Sequence, residues 1–184
     1  MTPEDGGGAT TRVTVILGID PGSRTTGYGI VAMERNRGVH LASGCVSVGD
    51  LPFDGRLRAI FEGLTAVIRE HRPDEVAIEK VFMNRNADSA LKLGQARGAA
   101  IVAAAVSDLP VHEYSPNEIK LAVVGRGHAE KGQVQHMIKA LLALAETPPP
   151  DAADALAVAL CHGHTRQGLA MVAGARRGRA GRYL

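Results

Sequence analysis

Residues 13–20 read Val-Thr-Val-Ile-Leu-Gly-Ile-Asp, and Pro21-Gly22 follow at once. The run is apolar and rich in β-branched side chains, which suits a buried strand, and Pro-Gly stops it in a turn. Two further strands are predicted near Gly27–Arg35 and Val39–Val48, joined as a hairpin around Asn36-Arg37-Gly38. From Pro52 to His71, residues Leu57, Ile60, Phe61, Leu64, Val67 and Ile68 recur at the helical period, and Pro73 ends that helix. Next come a short strand over Val76–Val81, a helix over Ala87–Ser107, a strand over Val111–Tyr114, and helices over Pro116–Val123 and Lys131–Leu144. Pro148, Pro149 and Pro150 form a rigid break, and Pro150 suits the start of a last helix from about Asp151 to Thr165. This order predicts an α/β fold, a mixed five-stranded sheet flanked by helices.

A chain of 184 residues with 45% hydrophobic and 22% charged content fits one soluble domain. Residues 12–167 are read as that domain, 1–11 as a flexible Gly-rich leader and 168–184 as a basic, flexible tail. The leader lacks the apolar core of a secretory signal and no apolar run is long enough for a membrane span, so a cytoplasmic protein without membrane contact is expected. The two cysteines, Cys45 and Cys161, fall outside any paired spacing and are read as free thiols. Cys161, His162 and His164 are close in sequence but lack a partner cluster, which argues against structural zinc. Net charge is only +2, yet Asp154 is the last acid of the chain, and Arg166, Arg176, Arg177, Arg179 and Arg182 follow it. A basic end suits a polyanionic partner as readily as it suits a solubilising tail.

Four carboxylates carry the chemistry. Asp20 and Glu79 each end an apolar strand, and ligands of such sheets bind at the carboxyl ends of strands. Either acid alone is more ordinarily a solvated strand end. Asp151 and Asp154 stand three apart at the start of a helix, so both can share one face. Capping and the helix dipole would explain each of these singly. They do not explain why Ala155 to Cys161 carries no charge and reads as buried. A buried helix that presents two acids toward two more makes a like-charge cluster, which is costly unless a cation neutralises it. Oxygen ligands suit Mg²⁺ or Mn²⁺, and a pair of such ions serves phosphodiester hydrolysis.

The same residues carry a resemblance. Ile16-Leu17-Gly18-Ile19-Asp20-Pro21-Gly22-Ser23-Arg24, followed by Thr26-Gly27-Tyr28-Gly29, resembles the opening motif of the RuvC family of Holliday-junction resolvases. Ala77 to Met83 is similar to the second motif, and Asn86 to Gly98 resembles the family's most recognisable stretch. Val123-Val124-Gly125, Ala129-Glu130-Lys131 and Asp151 to Ala157 match further along, so the likeness spans roughly residues 13–165 in the family's order.

The resemblance implies an RNase H-like fold and a homodimeric, Mg²⁺-dependent endonuclease that resolves four-way DNA junctions by paired nicks in recombination and repair. Two ions per subunit are expected, with Mn²⁺ as a substitute. It makes Asp20, Glu79, Asp151 and Asp154 the catalytic, metal-holding acids; some members have His at the position of Asp151. It places Lys120 and Lys131 near the scissile phosphate, where each would otherwise read as a surface lysine. It makes Phe82 an aromatic that stacks on an unpaired base, although the residue alone reads as core. Arg85, with Asn84 and Asn86, falls in the same DNA-facing loop. The helix from Ala87, with Ala90, Gly94 and Gly98 at four-residue steps, becomes part of the dimer contact. The RuvA–RuvB branch-migration motor is the implied partner. The leader and the tail match no motif.

Three other readings compete. Gly18 to Gly29 also resembles the first phosphate motif of actin-like ATPases, but that class needs two such domains, and a second Gly-rich phosphate motif is missing here. A decayed nuclease kept as a junction-binding module would have lost an acid, and all four are present. A nuclease of structured RNA differs only in substrate.

Overall fold

A computed structural model of the chain describes residues 13–81, 86–125 and 131–180. Its strands are β1 (Thr14–Asp20), β2 (Thr25–Glu34), β3 (Arg37–Ser47), β4 (Glu75–Glu79) and β5 (Val111–Tyr114). They form one sheet in the order β3-β2-β1-β4-β5. β1 pairs antiparallel with β2, and β2 with β3, whereas β4 joins β1 and β5 in parallel. Five helices are described: α1 (Phe53–His71), α2 (Ala87–Ala105), α3 (Pro116–Val124), α4 (Lys131–Leu141) and α5 (Pro150–Ala180).

Side chains alternate across a strand, so each strand feeds two cores. Leu17, Ile19, Ile30, Val76 and Ile78 pack against α1 and α2 through Ile60, Leu64, Ala96 and Ala100. Ile16, Val31, Met33 and Ala77 face the other way, onto α5 and its neighbours α3 and α4 through Leu156, Leu160, Ile119 and Ile138. Ala152, Ala153 and every residue from Ala155 to His162 are buried, as expected of a central helix.

Several boundaries differ from the sequence reading. The hairpin turns at Arg35 and Asn36, with Arg35 left-handed at φ 54°, so Arg37 and Gly38 already pair with Glu34 and Met33. β4 ends at Glu79 rather than Val81, and α4 ends at Leu141, just before the left-handed Ala143 at φ 50°. α1 stops where expected, at a left-handed Arg72 whose N–H donates to the Ile68 carbonyl, one residue before Pro73. α5 does not end near Thr165 but runs to Ala180, through a stretch in which Ala and Arg offset Gly168, Gly174 and Gly178 and no proline breaks the helix. Both cysteines are free thiols, Cys161 buried and Cys45 half-buried.

Candidate active site at the carboxyl ends of β1 and β4

What brings the acids together is a glycine face. Gly18 and Gly29 are register partners, and Gly27 lies opposite Asp20. A Cβ at Gly18 would stand 2.0 Å from the Ala155 carbonyl oxygen, and one at Gly27 would stand 2.0 Å from that of Asp151. Only bare backbone lets α5 sit this close to β1 and β2. The helix starts at Pro150, so Asp151 and Asp154 lie in its first two turns, over the end of β1. Glu79 ends β4 beside them, on the same face as Ala77.

The convergence has an electrostatic consequence. Burial, above all, pushes the Asp20 carboxyl up to about 8, and the negative charges of Glu79, Asp154 and Asp151 add to the effect. Burial raises Glu79 as well, and Asp154 adds to that, while the hydrogen bond from Asp20 and the cation of Lys120 pull the other way. Asp20 and Glu79 share a side-chain hydrogen bond, and burial with like charge disfavours ionising both at once. The oxygen-only donor set fits Mg²⁺ or Mn²⁺, and a cation would relieve the like charge that helps to raise Asp20.

A cleft of about 380 Å³ opens onto the pair, lined by Asp20, Pro21, Glu79, Lys80, Ser89, Leu93 and Pro116 among others. Supporting bonds hold its walls. Thr26 Oγ1 donates to the Gly22 carbonyl at 3.1 Å, steadying the turn after Asp20. Arg97, from α2, donates to the Glu79 carbonyl at 3.2 Å and pairs with Glu113 of β5, which anchors the end of β4.

Lys120 lies on α3, within electrostatic reach of Glu79. Phe82 and Arg85 lie outside the described residues, as does the side chain of Lys131; the backbone of Lys131 opens α4. Asn86, grouped above with the DNA-facing loop, also caps α2: its side chain accepts from Asp88 N at 3.0 Å and Ser89 N at 3.2 Å.

Three groups escaped the sequence reading. Lys80 lines the cleft directly after Glu79, a position that gives the residue no periodic signal. Cys45, on β3 opposite Gly27, lies near enough for the Asp151 and Asp20 charges to raise its thiol, after burial. His162, set aside for want of partners, gains Glu75 and His112 from distant segments.

Comparison with known proteins agrees with this geometry. Residues 16–162 match the family model described as crossover junction endodeoxyribonuclease RuvC. A protein of that description from Shewanella sp. (strain W3-18-1) is 57% identical over 172 residues, 93% of this chain and 99% of the relative. One from Pseudoalteromonas translucida (strain TAC 125) is 58% identical over 162 residues, 88% of this chain and 93% of the relative. Among solved structures, Thermus thermophilus RuvC in complex with Holliday junction substrate superimposes with a TM-score of 0.78 at 38% identity, covering 84% of this chain and 96% of that one. The yeast mitochondrial resolvase Ydc2 shares the fold, with a TM-score of 0.59 at 11% identity over 84% of this chain and 82% of its own.

A mixed sheet of this order, with acids gathered at the ends of β1 and β4, defines a nuclease of RNase H-like fold. The chain belongs to the RuvC family of crossover junction endodeoxyribonucleases, enzymes that use divalent metal.

Proposed function

We propose that this endonuclease resolves four-way DNA junctions by paired symmetric nicks, as a homodimer with one acid site per subunit, each holding two Mg²⁺ ions that Mn²⁺ can replace. The observation that carries the reading is the meeting of Asp20, Glu79, Asp151 and Asp154 from β1, β4 and α5, with Asp20 raised to about 8. These four acids are the catalytic and metal-holding set. Bound divalent cations would supply Lewis-acid charge to the scissile phosphate and to the attacking water. The carboxylates orient that charge, and Lys120 with Lys131 grips the phosphate and offsets charge gained in the transition state. Phe82 stacks on an unpaired base and Arg85 contacts the backbone nearby.

Support for the dimer comes from α2. Gly94 and Gly98 face open space rather than the sheet, and Leu91 and Val102 on the same helix, with Val106 at its C-cap, are exposed. Small residues beside exposed apolar ones suit a close contact with a second copy, and a two-fold dimer matches a two-fold junction. The RuvA–RuvB motor is the expected partner, and the cytoplasm the expected compartment; among the described residues no helix is long and apolar enough to cross a membrane. Residues 12–167 make the resolvase domain, 1–11 its leader and 168–184 a basic tail.

The test is incubation with a synthetic four-way junction, linear duplex and an RNA–DNA hybrid, with and without Mg²⁺. Paired nicks on the junction alone, only with Mg²⁺, are expected. Cleavage of the hybrid in preference to the junction would replace this reading with an RNA-directed one. Mixed dimers of one wild-type and one Asp20→Asn subunit should relax a supercoiled cruciform plasmid without linearising it. Linear product would overturn one independent site per subunit.

A further inference from the structure

β4 carries a glutamate at each end of the face turned to α5. Glu79 serves the acid site. Glu75 lies four residues back, and α5 runs antiparallel to β4, so that His162 reaches it as Asp154 reaches Glu79. His162 Nε2 lies 2.6 Å from Glu75 Oε2, and His112 Nε2, from β5, lies 3.7 Å from the same oxygen. The two imidazoles stack with centroids 4.3 Å apart.

The ordinary reading of this cluster is a hydrogen-bonded His–Glu pair that tethers α5. Three features go further. The ligand atoms of Glu75, His112 and His162 all lie within 4.8 Å of one another. Donors around a tetrahedral zinc-class ion, bonded at about 2.0–2.1 Å, stand roughly 3.4 Å apart; the 2.6 and 3.7 Å separations here bracket that spacing. Each inner ligand is also oriented from behind. The Tyr114 hydroxyl meets His162 Nδ1 at 2.7 Å, and Arg166 Nε pairs with Glu75 Oε1 at 3.1 Å, leaving Oε2 for the imidazoles. Outer partners of this kind set the tautomer and rotamer of metal ligands. The cluster is graded in exposure, too: His162 is 3% exposed, Glu75 15% and His112 43%, so an ion has a rigid floor and an entry from solvent.

We propose that Glu75, His112 and His162 form a second cation site, distinct from the catalytic acids, that takes a zinc-class divalent ion and pins α5 to β4 and β5. Two nitrogens and one oxygen select borderline ions such as Zn²⁺ or Co²⁺, whereas the acid site selects Mg²⁺. The two ends of one strand thereby sort two classes of metal. The Arg166 cation lowers affinity, so binding in the micromolar range is expected.

The test uses the full chain, stripped with chelator and titrated with Zn²⁺ against a chromophoric competitor in millimolar Mg²⁺. Wild type should bind one equivalent; Asp20→Asn should keep it, and His112→Phe, which retains a ring on the stack, should weaken it about 100-fold. Co²⁺-loaded wild type should show two paramagnetically shifted, exchangeable imidazole N–H signals, a readout that stands even if His112→Phe fails to fold. No tight equivalent in wild type, zinc lost in Asp20→Asn but kept in His112→Phe, or cobalt spectra without two imidazoles would each overturn the site.

Discussion

At one end of β4, Glu79 meets Asp20 and Asp154; at the other, roughly 13 Å along the same strand, Glu75 meets His162 and His112. The same strand and helix build both ends, yet their charge balances differ. The acid end gathers carboxylates without enough cations nearby, so burial and like charge raise Asp20. The histidine end is closer to neutral, because Arg166 and two imidazoles surround one carboxylate. Burial raises an acid at one end and lowers the His162 imidazole at the other, since in both it disfavours the charged form. Identical packing therefore gives opposite titrations.

The largest expected effect lies at the acid end. Asp20→Asn removes a charge and a metal-ligating oxygen, and cleavage of a four-way junction should fall about 1000-fold or more, roughly 4 kcal/mol of barrier. Junction binding should persist, because the contacts that hold DNA come from basic groups. Cleavage within tenfold of wild type would break the assignment.

Gly18→Ala tests whether the two ends share one cause. The new Cβ would lie 2.0 Å from the Ala155 carbonyl oxygen, between the ends. Lifting α5 should destabilise the fold by about 3 kcal/mol, a drop of about 10 °C in Tm, and weaken cleavage and zinc binding together. Loss of one with the other intact would show that the ends are independent of the glycine face.

The pH dependence of metal-free stability sharpens the contrast. The folded pKa of Asp20 lies above its unfolded value, so the folded state binds more protons, and this group's contribution to stability declines as pH rises toward 8. His162, facing Glu75, His112, Tyr114 and Arg166, has a lowered folded pKa, so its contribution is lost as pH falls below the ordinary histidine range. Melting of chelator-treated wild type should fall by about 5 °C between pH 5 and 8, and Mg²⁺ should restore it. In Asp20→Asn the falling limb should vanish and a rising one remain. An unchanged profile in that variant would remove Asp20 as the cause.

Smallest is Lys120→Ala, which takes one cation from beside Glu79. Cleavage should drop about tenfold, and the salt slope of junction binding should shrink by about one. Equal cleavage at all salt concentrations would return Lys120 to the ordinary surface.

How legible these features were depended on whether their cause was local. The buried strand ending at Asp20, the helix broken at Pro73 and the uncharged run from Ala155 to Cys161 were readable because periodicity, turn chemistry and burial act over a few neighbouring residues. The four acids stood out as candidates, since each closes or opens such an element at a motif position. The capping role of Asn86 was not read from the sequence, because an Asn before a helix carries the same local pattern whether or not its side chain turns back to the backbone N–H groups. The histidine cluster was invisible, because Glu75, His112 and His162 are 37 and 50 residues apart in sequence and only the parallel pairing of β4 with β5 under α5 joins them. Residue types and local periods thus determined the elements and the acids at their ends. Tertiary packing, through glycines bare enough for a helix to rest on the sheet, decided which of those ends meet and what charge each must hold.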